Sequence, residues 1–422
     1  MAYATLATRS ANPARSPLYP ERVPARVPNR LFLIGVGIAI ALSSIVMYEP
    51  APVDALVLGL LLVGFLSGIL GFRGIQPVGL VPLAIFAVAN IVSLYDPLNA
   101  TRATWYVFVT LYLCLSWLFF VSFLWTYGTV GMRTIVKTYS FAAMICIVPG
   151  LLSYFNVIGF QHYLLLYGRP KGTFKDPNVY GPYLIPVALF AIGGLIYTRK
   201  NKKTALMQAA IALISATGIF LSYSRACWIN FVVSLVGYLL MAFLFRPVGS
   251  PAPFPISRIV LLFAGLTICM AGLLQVPEVQ EMIAHRVTSS GLQGYDRDRF
   301  RTQRMALDSV VQRPLGIGPG QAEQTFHYAT HSSYMRVLSE NGVVGAAAFV
   351  VFITASLIRG LVMGWRTRDP FWQKIFFIAS ACILGHIINS GVVDTVHWRH
   401  FWLLLALPWY NPIGTSERVA LR

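Results

Sequence analysis

Residues 103–125 read ATWYVFVTLYLCLSWLFFVSFLW, with no charged side chain anywhere in the stretch. As a helix rising ~1.5 Å per residue, a run of about 20 such residues crosses a hydrocarbon core of roughly 30 Å. Similar runs recur at about 31–48, 55–72, 77–95, 135–155, 179–197, 204–221, 226–245, 258–276, 340–358, 374–390 and 398–411. That predicts an all-α polytopic membrane protein with about twelve transmembrane helices and both termini on one side. Composition agrees, since 56% of the 422 residues are hydrophobic and only 11% charged. A soluble domain carries roughly 25% charged residues, so an ordinary cytosolic enzyme is excluded.

The 33 Lys/Arg outnumber the 15 Asp/Glu and give a net charge of +18, a balance that in a soluble chain would suggest nucleic acid. Divided by side, it reads differently. With the N-terminus inside, the inner segments hold 20 basic residues against Glu21, Asp369 and Glu417, a net +17. The outer segments hold 13 against 12, a net +1. Basic inner loops are what membrane topology requires, so both termini are expected in the cytoplasm and no nucleic acid is expected as a partner. Residues 1–30, broken by Pro13, Pro17, Pro20, Pro24 and Pro28, read as a cytoplasmic tail. Spans one to nine then occupy 31–276, an outer cap loop 277–339, spans ten to twelve 340–411, and a second tail 412–422. Cys114, Cys146, Cys227, Cys269 and Cys382 all fall in apolar stretches and read as small hydrophobes.

Four constellations lie on the outer side. Arg169-Pro170-Lys171-Gly172-Thr173-Phe174-Lys175-Asp176-Pro177-Asn178 offers three cations, with Gly172 permitting close backbone approach. It suits a pyrophosphate, or else a basic loop resting on lipid phosphates. Ser222-Tyr223-Ser224-Arg225-Ala226 holds an arginine in a very short turn, where it either meets an anionic partner or snorkels to lipid. Asp296-Arg297-Asp298-Arg299-Phe300-Arg301-Thr302-Gln303-Arg304 opens a helix expected over 297–312. Helical spacing puts Arg297, Arg301 and Arg304 on one face, and Arg299 with Gln303 on another. The acids of that loop cancel its arginines, so phosphate binding there has to be local; a solvated salt-bridged face is the alternative.

The fourth constellation is His331 in Ala329-Thr330-His331-Ser332-Ser333-Tyr334, which follows the turn Pro314-Leu315-Gly316-Ile317-Gly318-Pro319-Gly320 and opens a second helix expected over 330–341, ending near Gly342. Nearby cations lower a histidine's pKa, which keeps it neutral and able to act as a base. A structural histidine is one alternative, and a metal ligand paired with His327 at i,i+4 another, which the cations disfavour. Neither a GxSxG elbow nor a P-loop or dinucleotide fingerprint is present. The scarcity of acids within the spans speaks against a coupled transporter. No metal and no cofactor are expected.

Taken in order, these segments resemble the bacterial O-antigen ligase and polymerase superfamily. His331-Ser332 followed by nine residues, Gly342, two residues and Gly345 fits its ligase signature, and Arg169-x-x-Gly172-x-Phe174-x-x-Pro177-Asn178 and Ser224-Arg225-Ala226 look like two further family segments. The resemblance implies a metal-independent, GT-C-like glycosyltransferase of the bacterial inner membrane, with a long helical periplasmic loop between spans nine and ten. Its donor would be a glycan linked to undecaprenyl pyrophosphate, its acceptor the lipid A–core sugar or another glycan, with membrane lipids around it. Arg225 and Arg299 would bind the pyrophosphate and His331 would deprotonate the acceptor hydroxyl. Gln303 stands where the family's Arg-x3-Leu pattern has Leu, so Arg297 and Arg301 remain candidates beside Arg299, as do Arg169 and Lys171 of the first segment. A polymerase is the alternative within the superfamily, and a polysaccharide or lipid-carrier transporter the alternative outside it.

Overall fold

Charge-free runs can bury their backbone polar groups only as helices, because lipid offers no hydrogen bonds. The computed structural model, which describes residues 29–197, 201–245, 256–287 and 289–412, follows that rule almost throughout. The tails expected at 1–30 and 412–422 lie almost wholly outside the described residues. The chain opens with α1 (Arg30–Ala41), α2 (Pro52–Leu66), α3 (Pro77–Val92) and α4 (Ala100–Tyr154). A short α5 (Gln161–Leu164) and a two-residue hairpin, β1 (Leu165–Leu166) with β2 (Arg169–Pro170), follow. Then come α6 (Pro177–Tyr197), α7 (Lys202–Leu221), α8 (Arg225–Leu244), α9 (Ile256–Leu273), α10 (Pro277–Val287), α11 (Ser289–Gln312), α12 (Ala322–Phe326), α13 (Ser333–Arg366), α14 (Pro370–Ser390) and α15 (Arg399–Ala406). Starts are marked chemically: Asn99, Asn201 and Ser224 accept from backbone N–H groups of the first turn, and proline opens α2, α3 and α14.

Among the described residues eight helices are long and apolar enough to cross a membrane, with α1 and α2 as shorter apolar helices. The two spans expected at 103–125 and 135–155 belong to one element, the 55-residue α4, broken at Gly128 with φ 50° and ψ −129°. Both ends of α4 meet loops expected on the outer side: Arg102 pairs with Glu323, and Tyr154 shares a 2.7 Å hydrogen bond with Tyr223. Its middle meets the opposite end of the bundle, where Trp372 donates to Thr129. Thus α4 is a helical hairpin folded at a glycine rather than two spans joined by a loop.

Burial ranks the helices. The most apolar window of α6 is 83% buried inside the protein and that of α14 72%, against 6% for α9. So α6 and α14 form the centre, flanked by α7, α8 and α13, while α9 stands at the lipid-facing edge. Trp117, Trp372, Trp402 and Trp409 are fully buried in the same core.

The cap departs from expectation in two places. The helix expected over 297–312 starts earlier, at Ser289. The helix expected to stop near Gly342 does not stop but kinks there, at φ 70°, and continues as a span to Arg366. Continuation is possible because the Pro314–Gly320 turn supplies the hydrogen bonds the kink breaks. Val343 N–H donates to Pro314 O (3.2 Å), Ile317 N–H to Ser339 O (2.8 Å) and Gly318 N–H to Glu340 O (3.1 Å). A Cβ on Gly342 would collide with Pro314 O, so only glycine fits.

Candidate active site at the cap face

The loops expected outside come together at one end of the bundle. Val46 bridges Phe174, Lys175 pairs with Glu49, Arg313 with Asp96, and Arg399 with Asp54, the last through two bonds of 2.5 Å. Most of the outer basic residues that face carboxylates are therefore already neutralised in place.

The first segment is built by a tight hairpin. Tyr167 and Gly168 both take positive φ, the conformation of a two-residue hairpin turn, and carry Arg169 back towards the bundle. Its guanidinium donates from Nε to Ser222 O (2.9 Å) and from Nη2 to Asn178 Oδ1 (3.2 Å). Arg169 thus ties the first segment to the Ser222–Arg225 turn. Gly172, at φ 52°, lies where a Cβ would come within 2.6 Å of Cys146 O, so close approach here is to the protein's own backbone. Lys171 is half-buried beside it. In the turn, Tyr223 takes φ 50° and the Ser224 hydroxyl accepts from Cys227 N–H, leaving Arg225 exposed as the first residue of α8.

On α11 the two expected faces separate. Arg297, Arg301 and Arg304 are exposed, while Arg299 and Gln303 turn inward against the segment before α13. Gln303 Nε2 donates to Thr330 O (3.1 Å) and Arg299 Nη2 to His331 O (3.4 Å). Gln303, the departure from the family pattern, has found a use that Leu could not fill. Asp296 lies outside the residues whose side chains are described. Among the described residues no carboxylate pairs with Arg225, Arg299, Arg297, Arg301 or Lys171.

His331 sits at φ 47°, a left-handed conformation that non-glycine residues adopt at a cost. What holds it there is Ser332, which caps α13 through Met335 N–H and donates to Ser390 O (3.3 Å). The ring lies edge-on to Tyr328. Burial and then the Arg299 charge lower the His331 pKa below its ordinary 6.5, against smaller opposing pulls from Asp394, Asp176 and Glu323. His327 is not one helical turn away: it ends α12 at φ 57°, and α13 begins only at Ser333. The i,i+4 geometry expected of a His327–His331 pair is absent.

Beside this group the structure assembles residues that sequence reading did not single out for a role. Arg336, one turn into α13, is buried; it forms an ion pair with Asp394, donates from Nε to Glu340 (3.2 Å), and lies over the Tyr106 ring. Glu340 in turn accepts from Gly320 N–H (2.8 Å) and Ala322 N–H (3.1 Å), fastening the glycine-rich turn. Burial would raise the Asp394 carboxyl, but Arg336 and His397 outweigh it and hold it below the usual range. Arg336 and Glu340 stand at i,i+4, a visible signal; Asp394 is 58 residues distant and gave none. A cavity of about 270 Å³ opens here, between the start of α4, the first segment, α13 and the loop before α15.

Fold and face define a class: an all-α polytopic membrane protein whose loops at the cap end gather a half-buried histidine and arginines that have no carboxylate partner among the described residues. Residues 210–350 match the family model described as O-antigen ligase, a match that supports the O-antigen ligase-like superfamily and, in general, a ligase- or polymerase-type function. That segment holds Arg225, Arg299 and His331 together. A comparison with curated proteins found no match.

Proposed function

We propose that the protein is a GT-C-like, ligase-type glycosyltransferase of the bacterial inner membrane, with about twelve spans, cytoplasmic termini and a periplasmic site. It moves a glycan from undecaprenyl pyrophosphate to the lipid A–core sugar. The observation that carries this reading is Arg299 set against His331 within the matched segment. His331, kept neutral by burial and by that arginine, takes the proton of the acceptor hydroxyl. The acceptor oxygen then bonds to the anomeric carbon as the carbon–oxygen bond to the pyrophosphate breaks, and attack opposite the leaving group inverts the centre. Charge grows on the departing pyrophosphate, and arginines free of carboxylates stabilise it through charge-assisted hydrogen bonds without need of a metal. Arg225 and Arg299 take this role first. Arg297 and Arg301, each two residues from Arg299, can assist, as can Lys171, two residues beyond the arginine that ties the first segment to the turn before Arg225; Arg169 itself serves mainly as that strut to Ser222 and Asn178.

His331→Ala tests the reading. Lipopolysaccharide from cells carrying it should show an intact core without long glycan, with lipid-linked glycan accumulating and the protein inserted at its normal level. Normal transfer by this variant would falsify the assignment. The superfamily also contains polymerases, and a single repeat left on the core after deletion of the protein would favour that activity.

A further inference from the structure

The 270 Å³ cavity differs in charge from the arginines beside it. Its wall carries Glu49, Asp176 and Asp394 against Lys175, Arg336 and Arg399, three of each sign. All three cations are engaged: Lys175 with Glu49 at 3.3 Å, Arg336 with Asp394, and Arg399 with Asp54. A pyrophosphate entering here would meet three carboxylates and would have to break ion pairs for every cation it gained. Arg225, Arg299 and Lys171, which pair with no carboxylate among the described residues, are not in the wall. His397, which is in it, adds no charge at neutral pH, because burial and Arg336 push its pKa down to about 4.

The rest of the wall is mostly apolar, with Trp105 on α4, Tyr106 beside it, Phe174 of the first segment and Trp398 at the start of α15 set among aliphatic side chains. Trp105 is half exposed and Trp398 buried, so one ring stands at the mouth and one at the back. Tyr106 already carries Arg336 over its ring and Trp398 stacks on His400, so Trp105 supplies the open apolar face; such a face flanked by fixed donors and acceptors suits a ligand with one C–H face and a rim of hydroxyls. The volume sits just under the ~300 Å³ at which small-molecule pockets usually begin, room for one ring rather than a chain. Position agrees, since the segment that carries His331 is fastened to this wall: the Ser333 hydroxyl, two residues on, hydrogen-bonds Thr395, the neighbour of Asp394, accepting from its N–H at 2.7 Å.

We infer that this cavity is a subsite for one uncharged pyranose ring, set apart from the pyrophosphate-binding arginines and presenting its sugar towards His331. The inference rests on the glycosyltransferase reading and names where the sugar sits. The ring comes either from the acceptor or from the first residue of the donor glycan.

Two measurements test it on the full-length protein in nanodiscs. In saturation-transfer NMR with methyl hexopyranosides as probes, the wild type and Arg299→Ala should both give signal, and inorganic pyrophosphate should not displace the sugar. Trp105→Ala should weaken binding about fivefold, with Trp105→Phe restoring most of it. In transfer assays Trp105→Ala should raise KM for one substrate about fivefold with kcat little changed. A rise for lipopolysaccharide core assigns the ring to the acceptor, and a rise for lipid-linked donor assigns it to the donor. Unchanged KM for both, no sugar signal, or displacement by pyrophosphate overturns the subsite. If His331→Ala still abolishes transfer in that case, only the subsite has failed.

Discussion

His331 is one residue whose charge is set first by burial and then by a neighbouring arginine. Because burial and Arg299 both depress its pKa, transfer should hold its rate as pH falls to the ordinary imidazole value of ~6.5 and fail only below it. With His331 as the proposed base, protonation removes it, so activity should be present above the depressed pKa and lost beneath it. Removing the cation in Arg299→Gln should move this acid limb upward, towards 6.5. The residual transfer of that variant, followed against pH, reads the shift, and a limb that stays put would disprove the coupling. A second expectation separates charge from shape: at Arg225 and Arg299, lysine should keep part of the activity and alanine almost none, measured as kcat/KM, because lysine retains the charge without the planar fork. At this scale the sequence was informative. His331 and the Arg299–Gln303 face stood at spacings that a helix and a signature make visible. Arg336 and Asp394 escaped because the pair is joined only by the fold.

At the scale of elements, α13 carries the most information. A glycine after a run of helix reads as a terminator, which is why an end was expected near Gly342. The helix continues because the partner that satisfies its broken bonds, the Pro314–Gly320 turn, arrives from more than twenty residues earlier, and local sequence carries no sign of that docking. Two variants measure the joint. Gly342→Ala should lose about 1–3 kcal/mol from backbone strain alone, and more from the collision with Pro314 O. Glu340→Ala strips Arg336 of one buried partner and leaves two N–H groups of the turn without an acceptor, at a cost of about 3–5 kcal/mol. Thermal unfolding in detergent reads both, and a wild-type melt for Glu340→Ala would mean the turn is held by other means. The same non-local logic hid the hairpin in α4, since Gly128 looks like any loop glycine until both ends of the helix are seen at one face.

Across the whole molecule, the division of the loops between two ends was legible and their pairing was not. Counting charges separates two faces because membrane insertion acts on each loop by itself. The ion pairs that set the character of the outer face join residues 126 and 345 positions apart, as in Lys175–Glu49 and Arg399–Asp54, so only the folded chain reveals which cations are spent. Sidedness has its own test. Four of the five cysteines are buried and the fifth partly so, which leaves little background for thiol labelling. In intact spheroplasts, a membrane-impermeant maleimide should label Glu323→Cys at the cap face and spare Arg366→Cys at the other end until the membrane is opened. The reverse pattern would invert the proposed orientation.

The helix α13 begins two residues after His331 and is also a membrane span. Bent at Gly342, it forms two arms, roughly 14 Å from Ser333 to the bend and roughly 36 Å beyond it, with the histidine at the tip of the short arm. A span adapts to a thinner or thicker bilayer by tilting. The Gly342 bend, clasped by the 314–320 turn, fixes the angle between the lipid-embedded arm and the cap arm, so any such tilt is carried to His331 rather than absorbed on the way. Transfer should therefore differ between bilayers of short and long acyl chains, and a rate indifferent to thickness would mean that the bend absorbs the tilt.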